Sequence, residues 1–338
     1  MEALILTEGG AQQGFGHVVR CVALGEAFVA AGLKPMLCIN GDDAFNSMIR
    51  NLDVRFFDWR KNDDWLSRKI SDAAVVVIDS YLADSDDYQR ISKRAKKAVF
   101  IDDSRRLDYP SGIIVNFASY AEKIYPVKKS ENEYLLGNSY VLLRRGFLAA
   151  AGNAKTSLGG PKKVFVSFGG GDPRNFTVKT LDLLRKSKYA HLNSLVVVGS
   201  SRAHDELFRE FSGSRTEFLY QPDEKQLIEA MTASDMAISA AGMTLYELAY
   251  CQKPTIAVAV ADNQQRGLND LVAAGFIRGY LDWQDSFLFE RMEEMLDFYI
   301  ANYALVLSKN ASLGRELVDG LGGDRLAAEI VKRIHGRD

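Results

Sequence analysis

The chain of 338 residues is long enough for about two domains of ordinary size. Hydrophobic residues make up 47% and charged residues 25% of a chain with a net charge of −2, a composition typical of globular proteins that gives no sign of nucleic-acid binding or of an acidic disordered tail. No apolar run is long enough to cross a bilayer, and the first residues enter a strand rather than a signal peptide, so we predict a cytoplasmic protein without membrane insertion.

The first half of the chain alternates predicted strands and helices. A strand at 3–7 leads through a glycine-rich loop to a helix that opens at His17 and ends near Ala31. Further strands are predicted at 35–39, 54–57, 73–78, 97–101, 112–115 and 139–143, and further helices near 43–52, 64–71 and 85–95. The unbroken apolar run 73–78 is typical of a parallel sheet covered by helices on both faces. Residues 1–150 are therefore predicted to form a doubly wound α/β domain.

The small and polar residues 149–163 interrupt this pattern and are predicted to contain the domain boundary. Beyond it, strands are predicted at 163–168, 194–198, 217–220, 236–239, 255–260 and 278–281, with a helical region from 287 onward. Residues 151–338 thus form a second domain, whose final helix is a candidate for packing back on the first. We predict an α/β fold of two Rossmann-like, doubly wound parallel-sheet domains with an interdomain cleft, where ligands bind at the carboxyl edges of the sheets.

The glycine-rich loop and the helix start after the first strand form a candidate anion site. Gly14 and Gly16 allow close approach of the backbone to a ligand, and the helix N-terminus offers unpaired N–H groups. His17 lies in the first turn of that helix, within reach of whatever those amides hold. The alternative is that His17 merely begins a helix.

Polar residues follow several strands of the first domain. Asp79, Ser80 and Tyr81 follow one strand, Asp102 and Asp103 the next, and Asn116 a third. Because parallel strands end at one edge, we expect these side chains near the loop that carries His17, where a carboxylate would orient the imidazole and stabilise its protonated form. The alternative is that these residues only cap helices and form turns.

Three turns of the second domain contain glycine or amide residues. Gly169, Gly170 and Gly171 lie between a strand and a helix start, a plausible phosphate cradle without the sequence of a Walker A loop. Gly242 precedes Thr244 and Glu247, whose spacing also fits a capping box. The amide side chains of Asn263 and Gln264 follow a later strand and could bind sugar hydroxyls; the alternative is a polar loop.

The three cysteines, Cys21, Cys38 and Cys251, are far apart and lack the spacing of metal ligands. We therefore expect reduced, mostly buried thiols, with neither a metal nor another cofactor.

With these motifs in place, the chain resembles the GT-B superfamily of nucleotide-sugar enzymes. Within it, the chain is similar to the SpsG-like UDP-sugar hydrolases of pseudaminic acid biosynthesis, which are related to the lipid II GlcNAc-transferase. The segments that carry the resemblance are GFGHVVR at 14–20, VVIDSY at 76–81, FIDD at 100–103, IVNFASY at 114–120, VSFGGGD at 166–172, SAAGMTLYE at 239–247 and ADNQQ at 261–265.

The resemblance implies that the N-terminal domain meets the sugar and the C-terminal domain binds UDP. His17 matches the histidine that activates water, and Tyr81, after Asp79, matches a tyrosine of the same site. Glu247 matches the acid that holds ribose hydroxyls. The residues that match positions contacting substrate are Gly14, Gly16, Arg20, Asn116, Gly170, Gly171, Gly242, Thr244, Asn263 and Gln264. Ser80 departs from the family, which often has histidine there, and this difference bears on sugar specificity.

The sequence therefore predicts an inverting, metal-independent hydrolase in which His17, helped by Asp79 or Tyr81, activates water. The expected substrate is a UDP-linked 2,4-diacetamido-2,4,6-trideoxyhexose, and the resemblance specifies UDP-2,4-diacetamido-2,4,6-trideoxy-β-L-altropyranose. The alternatives are a GT-B glycosyltransferase with a UDP-sugar donor and a non-catalytic nucleotide-sugar-binding protein. The UDP-sugar is the only partner expected, and a monomer is favoured.

Overall fold

A computed structural model of the protein describes residues 1–10, 14–41, 49, 52–125, 131–150, 160–199, 205–213 and 215–336, with only the backbone described at 205–207. These residues form two compact units. Unit 1 comprises Met1–Arg145 and Gly320–Asp338, and unit 2 comprises Gly146–Asp319.

Unit 1 is built on a parallel sheet. Its described strands are β1 (Glu2–Glu8), β2 (Lys34–Asn40), β3 (Asp53–Phe56), β4 (Val75–Asp79), β5 (Ala98–Ile101), β6 (Ile113–Asn116) and β7 (Glu133–Leu136). Its described helices are α1 (Gly16–Ala30), α2 (Asp63–Asp72), α3 (Ser85–Arg94), α4 (Ala121–Ile124) and, after unit 2 in the chain, α13 (Gly322–Ile334); α5 (Arg145–Ala150) spans the division between the units. The strand order is β3-β2-β1-β4-β5-β6-β7.

Unit 2 repeats this architecture. Its described strands are β8 (Lys163–Ser167), β9 (Asn193–Val198), β10 (Thr216–Tyr220), β11 (Met236–Ala240), β12 (Thr255–Ala259) and β13 (Tyr280–Asp282), in the parallel order β10-β9-β8-β11-β12-β13. Its described helices are α6 (Phe176–Leu184), α7 (Asp205–Phe211), α8 (Glu224–Ala233), α9 (Met243–Tyr250), α10 (Gln265–Ala273), α11 (Leu288–Ala301) and α12 (Tyr303–Leu317). The predicted α/β fold with two parallel sheets is confirmed.

Local sequence explains how β4 delivers its last residue to the sheet edge. All five residues of β4 are buried, as expected for a strand covered on both faces. The following helix α3 starts after Asp84, whose side chain accepts hydrogen bonds from the backbone N–H groups of Asp86 and Asp87. The turn between Asp79 and Asp84 is therefore fixed at both ends.

One predicted strand is wrong. The apolar residues 139–143 do not form a strand; Asn138–Tyr140 is a 3-10 turn, and the seventh strand of the sheet is β7. Gly137, with φ of +102°, ends β7, and Val141 and Leu142 are then buried without pairing to the sheet. These residues are apolar because they are buried, not because they pair with a strand of the sheet. The helix predicted near 43–52 and the boundary segment 149–163 lie largely outside the described residues.

Each sheet has one point where the strand order reverses. In unit 1 it lies between β1 and β4, and in unit 2 between β8 and β11. Loops diverge there at the carboxyl edge of the sheet, which is where open α/β sheets bind ligands. The β1–α1 loop and Asp79 meet at the first reversal point, and the Gly169 and Gly242 turns meet at the second.

Candidate active site

His17 is held in the first turn of α1 by the carboxylate that ends β4. Its ring nitrogen Nδ1 lies 2.7 Å from Asp79 Oδ1, and the His17 residue is 9% exposed. The helix itself begins without a side-chain cap. The loop before it closes through backbone hydrogen bonds between Gly10 and Gly14, and Gly14 has a φ of +76° that favours glycine.

Arg20, one turn further along α1, joins two carboxylates. Its Nε and Nη2 donate to Asp79 at 2.5 and 2.6 Å, and its Nη1 donates to both oxygens of Asp103 at 2.7 and 2.9 Å. Burial acts to lower the pKa of Arg20, but Asp103 and Asp79 outweigh it and raise that pKa well above its ordinary value. Arg20 is therefore a permanent cation whose donors are directed at protein carboxylates.

These charges determine which nitrogen of His17 carries a proton. Burial acts to raise the pKa of Asp79, but Arg20 and His17 outweigh it and hold that pKa well below its ordinary value. An ionised carboxylate only accepts hydrogen bonds, so Nδ1 of His17 must donate to it. The 3.1 Å contact of Arg20 Nη2 with Nδ1 is then a close approach of two donors, not a hydrogen bond. Nε2 carries the lone pair, and no described residue hydrogen-bonds to it.

The net charge of the cluster allows it to accept one more proton. Arg20 contributes one positive charge, and Asp79 and Asp103 contribute two negative charges, so the three side chains together carry one negative charge. When His17 accepts a proton at Nε2, the cluster becomes neutral. The arrangement can therefore act as a general base.

Tyr81 lies beside the imidazole. The two ring centroids are 4.7 Å apart with the planes at 77°, an edge-to-face contact, and the phenol donates to Asp103 Oδ2 at 2.9 Å. Burial and the Asp103 carboxylate raise the pKa of Tyr81 above its ordinary value, so the phenol stays protonated at neutral pH. Tyr81 is nevertheless 39% exposed, which leaves part of its ring open to solvent or ligand.

Sequence reasoning missed Glu8, the last residue of β1. Its buried carboxylate accepts hydrogen bonds from the backbone N–H groups of Tyr81 and Leu82 at 2.5 and 3.0 Å, and from the hydroxyl of Ser80. A polar residue at a strand end was the signal that could have identified it. Ser80 itself is 2% exposed and is used by this turn.

The side chain of Asn116, the last residue of β6, makes no described hydrogen bond to the cluster around His17. Its Oδ1 accepts from the backbone N–H of Ala118 at 2.8 Å, and its buried Nδ2 has no hydrogen-bond partner among the described residues. The neighbouring Asp102 instead accepts from the phenol of Tyr125 at 2.6 Å. No described hydrogen bond joins Asn116 to His17, Asp79 or Tyr81.

In unit 2, the helix start after the triple-glycine turn is already occupied. Gly169 has a φ of +81°, and Gly170 and Gly171 continue the turn after β8. Asp172 accepts hydrogen bonds from the backbone N–H groups of Phe176 and Thr177 at 2.9 and 2.8 Å. The prediction that the start of α6 helps to cradle phosphate is therefore corrected: a protein carboxylate occupies those amides, and the glycine turn alone remains for a ligand.

The neighbouring helix α9 begins without a side-chain cap. Its N-cap is Gly242, with φ of +144° and no side-chain hydrogen bond, and Thr244 lies inside the first turn. The alternative of a capping box between Thr244 and Glu247 is wrong, because Thr244 is not the N-cap. Glu247 is buried, on the same helix. This helix start can bind an anion through its backbone amides.

Asn263 and Gln264 differ in their surroundings. Gln264 Oε1 accepts from Val260 N at 2.8 Å, and its Nε2 donates to the carbonyl oxygen of Ala241 at 3.0 Å. Gln264 thus links the end of β12 to the turn that carries Gly242. Asn263 is exposed at the same edge.

All three cysteines are buried and unpaired, and burial raises the pKa of Cys38 and of Cys251 to about 12. Across the described part of the chain, no group of three histidine, cysteine or acidic side chains could hold a metal ion. No described helix is long and apolar enough to cross a membrane.

Comparison with protein-family models finds none that matches. Among curated proteins, the chain is 26% identical over 290 residues to an uncharacterized Methanocaldococcus jannaschii protein, covering 80% of this chain and 58% of that one. It is 23% identical over 268 residues to the Helicobacter pylori protein named pseudaminic acid cytidylyltransferase and UDP-2,4-diacetamido-2,4,6-trideoxy-beta-L-altropyranose hydrolase, covering 78% of this chain and 45% of that one. The chain thus spans about half the length of these two relatives.

A third relative matches over almost its whole length. It is the Bacillus subtilis spore coat polysaccharide biosynthesis protein SpsG, 22% identical over 339 residues with 97% of each chain covered. Among solved structures, Acinetobacter baumannii MurG has a TM-score of 0.65 at 11% identity, covering 98% of this chain and 100% of that one. Staphylococcus aureus MnaA with UDP has a TM-score of 0.65 at 10% identity, covering 100% and 98%. Together with the two parallel sheets, the structural matches show that the chain has the GT-B fold, and in sequence it is similar to SpsG over 97% of its length.

Proposed function

We propose that this protein hydrolyses a UDP-linked 2,4-diacetamido-2,4,6-trideoxyhexose to UDP and the free sugar, with UDP-2,4-diacetamido-2,4,6-trideoxy-β-L-altropyranose as the substrate. The observation that carries the proposal is the buried His17–Asp79 pair, which leaves Nε2 of an oriented imidazole free to accept a proton. Support for the substrate comes from the Helicobacter pylori relative, whose name includes hydrolysis of this compound. Support for UDP comes from the structural neighbour solved with that nucleotide.

In the proposed reaction, a water molecule donates a proton to His17 Nε2 while its oxygen attacks the anomeric carbon. The bond from that carbon to the β-phosphate oxygen breaks, and its electron pair leaves with UDP, so the anomeric configuration inverts. The new imidazolium is stabilised by Asp79, which accepts from Nδ1, and by the negative charge of the cluster. General-base assistance of this kind contributes roughly 10²- to 10⁴-fold to a rate.

The diphosphate is assigned to unit 2. The uncapped start of α9, with Gly242 and Thr244, supplies backbone N–H groups and the positive end of a helix dipole, and Gly170 and Gly171 supply a second flexible turn. Glu247 is proposed to bind ribose hydroxyls and Asn263 the sugar or β-phosphate. Gln264 is assigned to holding the Gly242 turn in place, because both ends of its amide are bonded to backbone.

In unit 1, Gly14, Gly16 and Asn116 are proposed to contact the sugar. Asn116 offers a buried amide nitrogen without a described partner. Arg20 was predicted to bind substrate, but we now assign it to positioning, because its donors are directed at Asp79 and Asp103. We assign to Tyr81, whose ring lies against that of His17, a contact with the sugar.

The test is incubation of the purified protein with a panel of UDP-sugars and no acceptor, following free UDP and the anomer first released. The informative variant is His17→Asn, whose amide nitrogen can still donate to Asp79 but which lacks Nε2. We expect it to lose about 10²- to 10⁴-fold in kcat with UDP affinity unchanged. The matched control is His191→Asn at an exposed site of unit 2, with parental turnover expected. Parental turnover in His17→Asn would contradict the assignment.

The same assay separates the two alternatives. A glycosyltransferase would release UDP at useful rates only when an acceptor is added, and a binding protein would hold the UDP-sugar without releasing UDP.

A further inference from the structure

We infer that Glu8 is a positioning residue that holds Tyr81 against His17, an inference that rests on the proposed function for its catalytic consequence. Glu8 ends β1, the strand next to β4, and is 1% exposed. No described ion pair compensates its charge. Its described side-chain partners are three donors from the turn that follows Asp79: the hydroxyl of Ser80 and the backbone N–H groups of Tyr81 and Leu82.

The carboxylate holds one side of this turn, and other side chains hold the opposite side. Arg106 Nη2 donates to the carbonyl oxygens of Ser80 and Ala83 at 3.0 and 2.8 Å, and the phenol of Tyr88 donates to the Ser80 carbonyl at 3.0 Å. The turn therefore has its amides bound by an anion and its carbonyls bound by a cation and a phenol. An anion on the amide side is the group that such a turn needs, because several N–H groups converge there.

Because Glu8 binds the backbone N–H of Tyr81, it also determines where the Tyr81 side chain lies. The Tyr81 ring meets the His17 ring edge to face at 4.7 Å, and its hydroxyl reaches Asp103, which also binds Arg20. A shift of this backbone would move the phenol away from Asp103 and uncover one side of the imidazole. Since a misplacement of about 1 Å can cost on the order of 10²-fold in rate, Glu8 would affect turnover without touching substrate.

The chemistry of the contact predicts that glutamine is a poor replacement for Glu8. One carboxylate oxygen accepts the N–H groups of Tyr81 and Leu82, and the other accepts the Ser80 hydroxyl. Ser80 Oγ in turn accepts from the N–H groups of Leu82 and Ala83 at 3.1 and 2.9 Å. In Glu8→Gln, the amide NH₂ would face either these backbone N–H groups or a hydroxyl oxygen that already accepts two donors.

The experiment compares Glu8→Gln with Glu2→Gln, the same substitution at the exposed start of the same strand. Hydrogen exchange of the segment 79–83 and the ring contact between Tyr81 and His17, read by NMR, report the positioning directly. Steady-state hydrolysis of the UDP-sugar reports its consequence. For Glu8→Gln we expect exchange at Tyr81 and Leu82 to be roughly tenfold faster or more. We also expect a weakened ring contact, kcat lower by on the order of 10²-fold and KM within about threefold of the parent.

Unchanged exchange and ring contact in Glu8→Gln would overturn the inference, and so would a loosened turn with parental kcat. If the parent protein hydrolyses no UDP-sugar, the proposed function fails, while exchange and ring contact still decide whether Glu8 holds Tyr81. Should Glu8→Gln not fold, Ser80→Ala removes one of the three donors and is expected to loosen the turn in the same direction. Parental exchange in Ser80→Ala would then overturn the inference.

Discussion

Replacing Asp79 by asparagine tests the buried cluster most directly. The change removes the acceptor's charge from four hydrogen bonds, two from Arg20, one from His17 and a long one from Cys21 Sγ at 3.5 Å, while it keeps the shape of the side chain. A hydrogen bond to a charged acceptor is stronger than one to a neutral acceptor by about 1 kcal/mol or somewhat more, so the three short bonds from Arg20 and His17 give a loss of about 3–4 kcal/mol. Removing one partner of a buried ion pair costs about 3–5 kcal/mol, so the two estimates agree. For a unit of this size, the melting temperature should fall by roughly 6–16 °C.

The loss should depend on pH in a defined direction. The pKa of Asp79 is depressed in the folded protein, because Arg20 and His17 outweigh the opposing effect of burial. Its stabilisation is therefore complete above the unfolded pKa of about 3.9 and is lost as pH falls toward the folded value. The difference in melting temperature between parent and Asp79→Asn should shrink as pH falls below about 4.

Asp79→Asn should also reduce turnover. If the asparagine NH₂ faces His17, Nδ1 must accept rather than donate, and the proton moves to Nε2, which can then no longer take one from water. We expect a loss of about 10²- to 10⁴-fold in kcat. Thermal denaturation and UDP release measured on the same samples check both effects. A variant as stable as the parent at pH 7, or a difference that does not change with pH, would refute the reasoning.

Two further predictions concern the loops at the sheet edges. Gly14→Ala should destabilise unit 1 by about 1–2 kcal/mol, because Gly14 has a positive φ, whereas Gly16→Ala, where a Cβ meets open space, should change the unfolding free energy by less than about 0.5 kcal/mol in urea denaturation. Equal losses in the two variants would show that the backbone conformation of Gly14 is not the cause. Gln264→Ala should cost about 1–3 kcal/mol, because Val260 N and the Ala241 carbonyl lose their partner, while the exposed Asn263→Ala should stay within about 0.5 kcal/mol. A stable Gln264→Ala variant would remove the support for its bridging role.

Much of this architecture could be predicted from local pattern. The run Val75–Asp79 predicts a buried strand that ends in an acidic residue. Parallel topology then places that residue at the edge of the sheet where α1 begins. The proximity of Asp79 to His17 follows from these two facts. The prediction of a strand at 139–143 was wrong, because buried residues outside a sheet and residues of a buried strand show the same run of apolar side chains.

The rest depends on which donor meets which acceptor. Nothing in the sequence says that Asp172 binds the amides of α6 while α9 starts uncapped, since both turns are rich in glycine. Arg20 could equally have bound a phosphate, and the placement of Asp79 at the end of β4 and of Asp103 two residues after β5 directs its donors inward. Glu8 was overlooked because its partners, residues 80–82, lie far away in sequence and two of them are backbone groups.

Helix α13 belongs to unit 1 but follows unit 2 in the chain, which affects the order in which the two units can fold during synthesis. It packs against α1, Arg145 reaches Asp324 at 2.8 Å, and a Cβ at Gly322 would lie 2.2 Å from the carbonyl oxygen of Val141. Yet α13 leaves the ribosome only after every residue of unit 2. Domains fold as units while the chain emerges. The continuous unit 2 can therefore complete its folding before unit 1, although its synthesis starts later. Until α13 is synthesised, the nascent unit 1 keeps an apolar face of α1 uncovered.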